Sequence, residues 1–240
     1  MSENKELIII PDIHGRDFWK QAVKDGGERH VVFLGDYLDP YGFEGITEQE
    51  AWNNFMEIVD FKKANPSRVH LLLGNHDLGY MDMRINDCRR DRINAGRNQR
   101  FFLDNLDLFD LAHETILNGK RLLLSHAGVN RIWHALHFGI NTPIEACLYN
   151  SMLHGSKRSR LMETLADVSY LRGGPSSFGS MVWADIREFT EDGSETPGIV
   201  QIVGHTLIDD GPVMVGDGEV FCLDCRKAFM LTEDGRIEER

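Results

Sequence analysis

The chain has 240 residues and a formal net charge of −12, with 38 acidic against 26 basic residues. This acidic balance argues against a dedicated nucleic-acid-binding protein, because such proteins bind the phosphate backbone through a basic surface. Hydrophobic residues make up 42% of the chain, enough for a sizeable core. No apolar run approaches the ~20 residues that span a bilayer or resembles a signal peptide, so we expect a cytoplasmic protein.

Five apolar runs share one pattern, in which a predicted strand ends in a turn that carries Asp, Asn or His. They are LIIIPDIHG (7–15), VVFLGDYLD (31–39), VHLLLGNHD (69–77), RLLLSHAGV (121–129) and VQIVGHT (200–206). Uninterrupted branched and leucine residues predict strands that are buried on both faces. Open α/β folds place their sites at the carboxyl ends of such strands, so we expect the five polar turns to converge.

Helical patterns fill the gaps between these strands. Thr47 with Glu50 three residues later forms a capping box, which predicts the start of a helix that ends before Pro66. Thr142 with Glu145 predicts a second helix start of the same kind. A third helix is predicted over SRLMETLADVSYL (159–171), before a loop rich in Gly, Ser and Pro.

The C-terminal region reads as β-structure. The segments GPVMVG, EVFCLDC and AFML predict a β-meander, and Asp234-Gly235 predicts a turn between two strands. In CLDC, Cys222 and Cys225 lack a second pair of zinc ligands, so we expect ordinary strand cysteines rather than a zinc or redox site. The sequence has no repeat and no linker, which predicts one domain over 1–240 with helical insertions at about 78–115 and 131–170.

The polar residues of the five turns are a coherent set of metal ligands. They are Asp12, His14, Asp36, Asp39, Asn75, His76, Asp77, His126 and His205. Carboxylate, imidazole and amide ligands together suit Mn, Fe or Zn, and the lack of thiolates argues against a structural zinc site. Gly35, Gly74 and Gly204 precede three of these residues, where glycine allows a sharp turn and a close approach of the backbone.

In this order, PDIHG, GDYLD, GNHD, SHAG and GHT resemble the five signature blocks of the calcineurin-like metallophosphoesterases. The phosphoprotein phosphatase branch fits best, including its bacterial and phage serine/threonine phosphatases and the symmetrical dinucleoside tetraphosphatases. Leu207 stands where relatives outside this branch often have a second histidine. The resemblance implies an α/β fold of the four-layer sandwich type, with two mixed β-sheets flanked by helices.

The resemblance also implies a site with two divalent metal ions. One ion would be held by Asp12, His14 and Asp36, and the second by Asp36, Asn75, His126 and His205. Two such ions ~3.5–4 Å apart share one water, lower its pKa and direct it at phosphorus. His76 would be the general acid that protonates the leaving oxygen, and Asp39 would orient it and favour its charged form.

The sequence departs from the family pattern at two positions. The first departure is mild, because Pro11 stands where the commonest form of the first block has glycine. Pro40 stands where the branch has an arginine that binds the substrate phosphate, and proline has no side-chain donor. A segment at 84–100 contains six arginines, which predicts either an electropositive wall for phosphate or a solvated helix face. The candidates for the missing contact are Arg89, Arg90, Arg172 and Arg187.

The sequence therefore predicts a dinuclear metal-dependent phosphoesterase that hydrolyses a phosphomonoester, either a phosphoprotein or a small molecule. The alternative is a hydrolase of dinucleoside polyphosphates or related nucleotides with the same metal site. A catalytically silent protein that binds a phosphorylated ligand is less favoured, because every metal ligand is present. The expected partner is a phosphorylated substrate, with no dedicated nucleic-acid or membrane binding.

Overall fold

The structure is a computed structural model that describes residues 6–240, apart from the Asp217 side chain. Within these residues, the α-helices are Trp19–Gly26 (α1), Glu48–Ala64 (α2), Asn75–Met81 (α3), Ala95–Asp104 (α4), Arg131–Phe138 (α5), Ala146–His154 (α6) and Arg158–Leu165 (α7). The strands are Leu7–Ile10 (β1), His30–Phe33 (β2), Val69–Leu72 (β3), Phe109–Asp110 (β4), Ala112–Leu117 (β5), Lys120–Ser125 (β6), Ile199–Val203 (β7), Val213–Val215 (β8), Val220–Cys222 (β9), Phe229–Leu231 (β10) and Ile237–Glu239 (β11). All five predicted strands are therefore present, as β1, β2, β3, β6 and β7.

The strands form two mixed sheets. The first has the order β11-β10-β1-β2-β3-β4, in which β1 to β4 are parallel and β10 is antiparallel to β1. The second has the order β5-β6-β7-β9-β8, with β6, β7 and β9 parallel. This arrangement confirms the predicted fold class. The parallel strands of each sheet end on the same side, where the polar turns of the sequence begin.

Alternate residues of β1 belong to two different cores. Ile8 is buried in a cluster with Trp19 of α1 and Phe55 of α2. Ile9 is buried in a second cluster with Leu124 of β6, between the two sheets. Because side chains alternate along a strand, a strand covered by helices on one face and by a sheet on the other must be apolar throughout. This is why the strand sequences show no polar alternation.

The first predicted helix start is confirmed and the second is wrong. In α2, the Glu50 amide donates to Thr47 Oγ1 at 3.2 Å and the Thr47 amide donates to Glu50 Oε2 at 2.8 Å. Thr142 Oγ1 instead donates to the Phe138 carbonyl at 2.5 Å, and α6 begins only at Ala146. The hydroxyl of Thr142 thus satisfies an unpaired carbonyl at the end of α5, so it does not cap the following helix. The third predicted helix is present as the shorter α7.

The predicted C-terminal meander is wrong beyond its first two strands. β8 and β9 are antiparallel neighbours in the second sheet, but β10 pairs with β1 in the first sheet. The chain must therefore cross between the sheets after Cys222, so Cys225 lies beyond the strand and not on it. Both cysteines are free thiols. The Asp234-Gly235 turn between β10 and β11 is confirmed.

Among residues 6–240 there is no helix with the length and apolar character needed to cross a membrane.

Three histidines form a row across the two sheets, away from the metal-ligand turns. The ring of His70 on β3 stacks on that of His30 at 5.8 Å and lies 3.9 Å from that of His113 on β5, measured between ring centroids. Burial, and then the charge of His113, lower the pKa of His70 to about 3. Burial lowers the pKa of His113 to about 4. These two rings therefore stay neutral in the folded protein at pH values where the same two histidines are protonated in the unfolded chain.

We expect the free energy of unfolding to fall as the pH drops from about 6.5 toward 4. The pKa values of His70 and His113 are depressed in the folded state, so the unfolded state takes up protons first and acid favours unfolding. The wild type should lose more free energy of unfolding between pH 6.5 and 4 than His70→Gln does, by about 1–3 kcal/mol. Urea unfolding at several pH values measures this difference. If the free energy of unfolding depended on pH equally in the variant and the wild type, this would contradict a depressed pKa of His70 in the folded state.

Candidate metal centre

The polar turns of both sheets meet in one cluster. His14, Asp36 and His76 offer ligand atoms that all lie within 4.8 Å of one another, and Asp36, His126 and His205 form a second such group. Asp36 belongs to both groups. These turns follow β1, β2 and β3 of the first sheet and β6 and β7 of the second, so the cluster exists only when the two sheets are packed together.

Asp36 occupies the centre of the cluster. Its Oδ2 lies 3.6 Å from His14 Nε2 and 3.5 Å from His126 Nε2, so one carboxylate faces both groups. Asp12 Oδ2 lies 4.0 Å from His14 Nε2, on the side of the first group. Asn75 Oδ1 lies 2.9 Å from His126 Nε2, on the side of the second. All six side chains predicted as metal ligands are thus brought together.

Backbone carbonyls fix the orientation of the two innermost imidazoles. His14 Nδ1 lies 2.8 Å from the Leu38 carbonyl, and His126 Nδ1 lies 2.9 Å from the Leu34 carbonyl. A carbonyl only accepts, so each Nδ1 carries the hydrogen and each Nε2 presents its lone pair to Asp36. This is the arrangement by which proteins orient metal-binding histidines. Burial lowers the pKa of His14, which keeps the ring neutral and able to bind a cation.

His205 approaches the cluster with its other nitrogen. Its Nδ1 lies 3.1 Å from His126 Nε2, while its Nε2 is buried and has no hydrogen-bond partner among residues 6–240. Burial, and then the charge of Arg172, lower the pKa of His205. Its backbone amide donates to Asp12 Oδ1 at 2.9 Å, which joins the tip of β7 to that of β1.

The buried carboxylates fit a divalent cation. Burial raises the pKa of Asp36 to about 7, and Asp12 adds to this increase. Burial and Asp12 also raise the pKa of Asp224, whose Oδ1 is buried and has no hydrogen-bond partner in the described part of the chain. Several carboxylates crowded in a dry site are unfavourable as anions unless a positive charge accompanies them. The donor set of carboxylate oxygens, neutral imidazoles and one amide oxygen is that of a borderline divalent metal.

Two glycines allow the backbone to reach the carboxylates. A Cβ atom on Gly74 would lie 2.1 Å from Asp36 Oδ1, and one on Gly204 would lie 2.3 Å from Asp12 Oδ1. Real Cβ atoms do not make such contacts, so any side chain at either position would displace a predicted metal ligand. This confirms the close approach expected from the sequence.

Gly74→Ala should therefore weaken metal binding and destabilise the protein by about 1–3 kcal/mol, because the new methyl group overlaps Asp36. Gly96→Ala is the matched control, since a Cβ on Gly96 would meet no atom within 4 Å. Thermal unfolding with and without added Mn²⁺ measures both effects. A Gly74→Ala variant that matches Gly96→Ala in melting temperature and in metal-dependent shift would contradict the overlap.

The backbone is strained where these side chains are presented. Positive φ angles of non-glycine residues in the described part of the chain include those of His14, Asp36, Asp39, Arg89 and His205, between 42° and 64°. Such conformations persist only where the surrounding structure imposes them, and they concentrate at functional sites. Of the seven non-glycine residues with positive φ within residues 6–240, these five belong to this one region of the molecule.

An imidazole–carboxylate pair lies beside the ligand cluster. His76 Nδ1 lies 2.8 Å from Asp39 Oδ2, and both side chains are buried. Asp39 Oδ1 accepts from the Tyr80 hydroxyl, and the Asp91 amide donates to that hydroxyl at 3.0 Å. Tyr80 was not predicted from the sequence, although it lies one helical turn after His76 on α3, where side chains share a face. The pair fits a proton donor held by a carboxylate, and it also fits a histidine metal ligand oriented by one.

Asp77 has a role that sequence reasoning did not assign. Its carboxylate accepts from the amides of Asp36 at 2.7 Å, Tyr37 at 3.1 Å and Gly74 at 2.9 Å. It therefore binds the turn after β2 to the turn after β3, which fixes the backbone on both sides of Asp36. The sequence signal was its position in GNHD, but nothing in the motif separates a ligand from a residue that holds the turn.

The candidate arginines separate into two groups. Arg172 Nε and Arg187 Nε lie 3.0 and 2.7 Å from the carboxylate of Asp185, so both guanidinium groups have a protein partner. Arg90 lies over the Tyr80 ring at 5.3 Å. Arg89 Nη2, in contrast, lies 3.1 Å from His76 Nε2. Of the four candidates, Arg89 is the one that the structure records in contact with the predicted catalytic histidine.

The arginine-rich segment at 84–100 is not a uniform wall, and of its six arginines only Arg97 and Arg100 lie on a helix, α4. Arg84 and Arg92 are exposed and pair with Asp82 and Asp87. α4 begins only at Ala95, so residues 84–94 form an irregular loop instead of the solvated helix considered for them. The loop keeps some arginines in solvent and turns Arg89 toward the cluster.

Comparison with known proteins gives a consistent picture. The model of the calcineurin-like phosphoesterase family matches residues 6–209. A probable serine/threonine-protein phosphatase of Encephalitozoon cuniculi is 28% identical over 132 residues, which are 52% of this chain and 26% of that protein. A serine/threonine-protein phosphatase 7 long form homolog of Arabidopsis thaliana is 31% identical over 81 residues, 32% of this chain and 6% of that protein. The chain thus spans about a quarter or less of the length of these relatives.

Solved structures share the fold over nearly the whole chain. A cold-active protein-tyrosine phosphatase of a psychrophilic Shewanella species gives a TM-score of 0.61 at 17% identity, covering 98% of this chain and 80% of that one. A protein serine/threonine phosphatase of Saccharomyces cerevisiae gives 0.57 at 18% identity, covering 99% and 80%. At this identity the likeness concerns the fold alone.

Proposed function

The chain belongs to the calcineurin-like phosphoesterase family, and we propose that it is a dinuclear metal-dependent phosphatase that hydrolyses phosphomonoesters. The observation that carries this proposal is the sharing of Asp36 by two groups of ligand atoms, each compact enough for one ion. The expected reaction is the hydrolysis of a phosphate ester on a protein or a small molecule.

The two ions would be held by the residues predicted from the sequence. Asp12, His14 and Asp36 would hold one, and Asp36, Asn75, His126 and His205 the other, with Asp36 as the bridge. When bound, the pair would lower the pKa of a shared water and neutralise charge on the phosphoryl group. The ligand types suit Mn, Fe and Zn about equally. Asp77 and the two backbone carbonyls that receive the imidazole hydrogens would hold the ligands in place.

We assign proton donation to His76 and its orientation to Asp39. The Asp39 carboxylate lies 2.8 Å from His76 Nδ1, so it fixes the ring and leaves Nε2 to deliver a proton to the leaving oxygen. Tyr80 and the Asp91 amide hold Asp39 in turn. His76 belongs to the first ligand group, so its ring faces the site where the phosphate ester would lie.

A phosphoprotein is the favoured substrate class, because the curated relatives are named as serine/threonine-protein phosphatases. Hydrolysis of a dinucleoside polyphosphate is the second candidate, but its support is weaker in this geometry. That function was linked to an arginine-rich wall, and Arg84 and Arg92 are instead paired with carboxylates in solvent. The ligands come from both sheets, which supports one catalytic domain in this chain.

The test is an assay of the metal-stripped protein with Mn, Fe, Zn or Mg added back. We expect metal-restored hydrolysis of para-nitrophenyl phosphate and of phosphopeptides, and slower hydrolysis of a dinucleoside tetraphosphate. Faster hydrolysis of the tetraphosphate would favour the second candidate. Stoichiometric metal binding without turnover of any of these substrates would contradict a hydrolase and favour a protein that binds phosphorylated ligands.

A further inference from the structure

The substrate-binding arginine missing at Pro40 has a spatial substitute. Resting on the proposed phosphatase function, we propose that Arg89 binds the phosphoryl group of the substrate, that Tyr41 positions it, and that the contact selects phosphomonoesters over phosphodiesters. Four features of the structure carry this inference: the place of the guanidinium, its stacking, its lack of a carboxylate partner and the anchoring of its loop.

Arg89 lies between the proposed proton donor and the proposed metal ligands. Its Nη2 is 3.1 Å from His76 Nε2 and 3.4 Å from His14 Nε2, and its Nη1 donates to the Asp39 carbonyl at 3.1 Å. A phosphoryl group bound beside the proposed ligand His14, with its leaving oxygen within reach of His76, would lie between these two histidines. The guanidinium therefore stands where the oxygens of that group need a positive donor.

The contact with His76 orients the ring of the proposed proton donor. A guanidinium only donates, so His76 Nε2 accepts from Arg89 here and the ring carries its hydrogen on Nδ1, toward Asp39. When Arg89 donates to phosphoryl oxygens instead, His76 Nε2 loses this hydrogen bond and is free to face the leaving oxygen. Substrate binding therefore exchanges a contact of Arg89 with His76 for contacts with the phosphoryl group.

Tyr41 supplies the platform for this arginine. The Arg89 guanidinium carbon lies 3.7 Å from the centre of the Tyr41 ring, a stacking distance, and the same ring packs edge-on to His14 at 5.1 Å. Planar guanidinium groups stack well on aromatic faces, which holds their donors in a fixed plane. The dipeptide that lacks the family's arginine, Pro40-Tyr41, thus provides the surface on which another arginine is held.

Arg89 is available for an anion. Among residues 6–240, no carboxylate lies within 4.0 Å of its nitrogens, whereas Arg84, Arg92 and Arg172 each have such a partner. Arg89 also has a positive φ of 54°, an unfavourable backbone conformation for this residue type. An unpaired cation that is held in place at the cost of backbone strain indicates a functional contact rather than a solvated side chain.

The loop that carries Arg89 is attached on both sides. Trp183 Nε1 donates to the Ile85 carbonyl at 2.7 Å, and Ile85 is buried. On the other side, the Asp91 amide donates to the Tyr80 hydroxyl at 3.0 Å. These contacts tie one end of the loop to Trp183, whose ring packs edge-on to His205 at 5.4 Å, and the other end to α3, which carries His76. The loop backbone on both sides of Arg89 is therefore held next to the site.

The charge of the contact predicts the substrate class. A phosphomonoester is a dianion near neutral pH with three unsubstituted oxygens, whereas a diester is a monoanion with two. A guanidinium that donates to phosphoryl oxygens gains more from the monoester, because charge-assisted hydrogen bonds strengthen with the charge of the acceptor. Arg89 should therefore contribute more to monoester than to diester hydrolysis.

The experiment uses the metal-loaded full chain with Arg89→Ala, Arg89→Lys, Tyr41→Ala and Tyr41→Phe. Arg92→Ala is the matched control, since Arg92 is an exposed arginine of the same loop. We measure kcat and KM for para-nitrophenyl phosphate and for bis(para-nitrophenyl) phosphate, binding of inorganic phosphate by calorimetry, and metal stoichiometry. Phosphate binding and metal content do not depend on turnover.

We expect Arg89→Ala to lower kcat/KM for the monoester about 10- to 100-fold, with a smaller loss for the diester and unchanged metal content. Phosphate affinity should fall in parallel, Arg89→Lys should restore part of it, and Tyr41→Phe should restore most of what Tyr41→Ala loses. Arg92→Ala should match the wild type.

Unchanged phosphate affinity in Arg89→Ala, or equal losses on both substrates, would overturn the inference while the phosphatase function stands. A wild type that binds phosphate through Arg89 yet hydrolyses nothing would support this contact and overturn the proposed function.

Discussion

Replacing Asp36 with asparagine is expected to abolish turnover and to remove both metal ions. The carboxylate is shared by the two ligand groups, with Oδ2 3.6 Å from His14 Nε2 and 3.5 Å from His126 Nε2. An amide oxygen is a weak metal ligand and cannot bridge two cations as a carboxylate does. Because a dinuclear centre contributes several kcal/mol to such a reaction, kcat should fall about a thousandfold or more.

The same substitution should leave the metal-free fold intact. Asparagine keeps the oxygen that accepts from the His76 amide at 2.9 Å, and it removes a carboxylate whose pKa is raised by burial. A raised folded pKa means that Asp36 weakens the metal-free protein as the pH rises through about 4 to 7, so the variant should lose less stability over that range. The melting temperature without metal should therefore be at least that of the wild type.

Metal titration followed by thermal unfolding tests the prediction. The wild type should gain stability with Mn²⁺, since ligands that bind only the folded state stabilise it, and Asp36→Asn should gain almost none. Asp60→Asn, at an exposed position on α2, is the matched control and should behave as the wild type. Residual turnover above about a tenth of the wild type in Asp36→Asn would contradict the bridging role.

The second large effect is expected for His76→Ala. General acid catalysis typically contributes about 10²- to 10⁴-fold, so kcat should fall by that factor for an alkyl phosphate, whose leaving oxygen is strongly basic. The loss should be much smaller for para-nitrophenyl phosphate, because nitrophenolate leaves without needing a proton. Metal content should remain two ions per chain, since the proposed ligands do not include His76.

This variant also decides between the two chemical roles of the imidazole–carboxylate pair. His76 shares the first ligand group with His14 and Asp36, and its Nδ1 is held by Asp39 as in many histidine metal ligands. If His76 were a ligand, the variant would lose an ion and both substrates would slow equally. A leaving-group-dependent loss with full metal content is the result expected of a proton donor. His154→Ala, at an exposed histidine, is the control for loss of a ring alone.

Much of the site was predictable because its residues follow strands that are easy to recognise. β1, β2 and β3 are buried on both faces, so their apolar runs are continuous and the polar residue that follows marks the strand end. Glycines at positions such as 74 then identify close backbone approaches, which the structure shows next to Asp36. The order of the five motifs supplied the family and therefore the sandwich fold.

The parts that were wrong depend on distant contacts. β10 leaves the predicted meander because β1 offers it a partner in the other sheet, and no local pattern after Cys222 encodes that crossing. Thr142 resembles a helix cap, but the end of α5 competes for its hydroxyl. In both cases a contact overrides the local propensity of the sequence. For β10 the contact is with a strand that is distant in the chain, and for Thr142 it is with a carbonyl that lacks a helical partner.

The residues that sequence reasoning missed hold other residues of the site in place and have no proposed role as metal ligand or proton donor. Asp77 holds two turns through three amides, and Tyr80 holds Asp39, so neither side chain has a property that distinguishes it in the sequence. Arg89 was named from the sequence as one of four candidates, but its stack on Tyr41, which sets its place, was not predicted. Such roles become visible only when the loop is folded against the site.

The central claim is that Asp36 bridges two metal ions. The most direct measurement is a crystal structure of the protein soaked in Mn²⁺, with anomalous diffraction recorded at the manganese edge. We predict two anomalous peaks ~3.5–4 Å apart, on either side of the Asp36 carboxylate, one toward His14 and the other toward His126 and His205. A single peak, or two peaks of which only one contacts Asp36, would contradict the dinuclear centre.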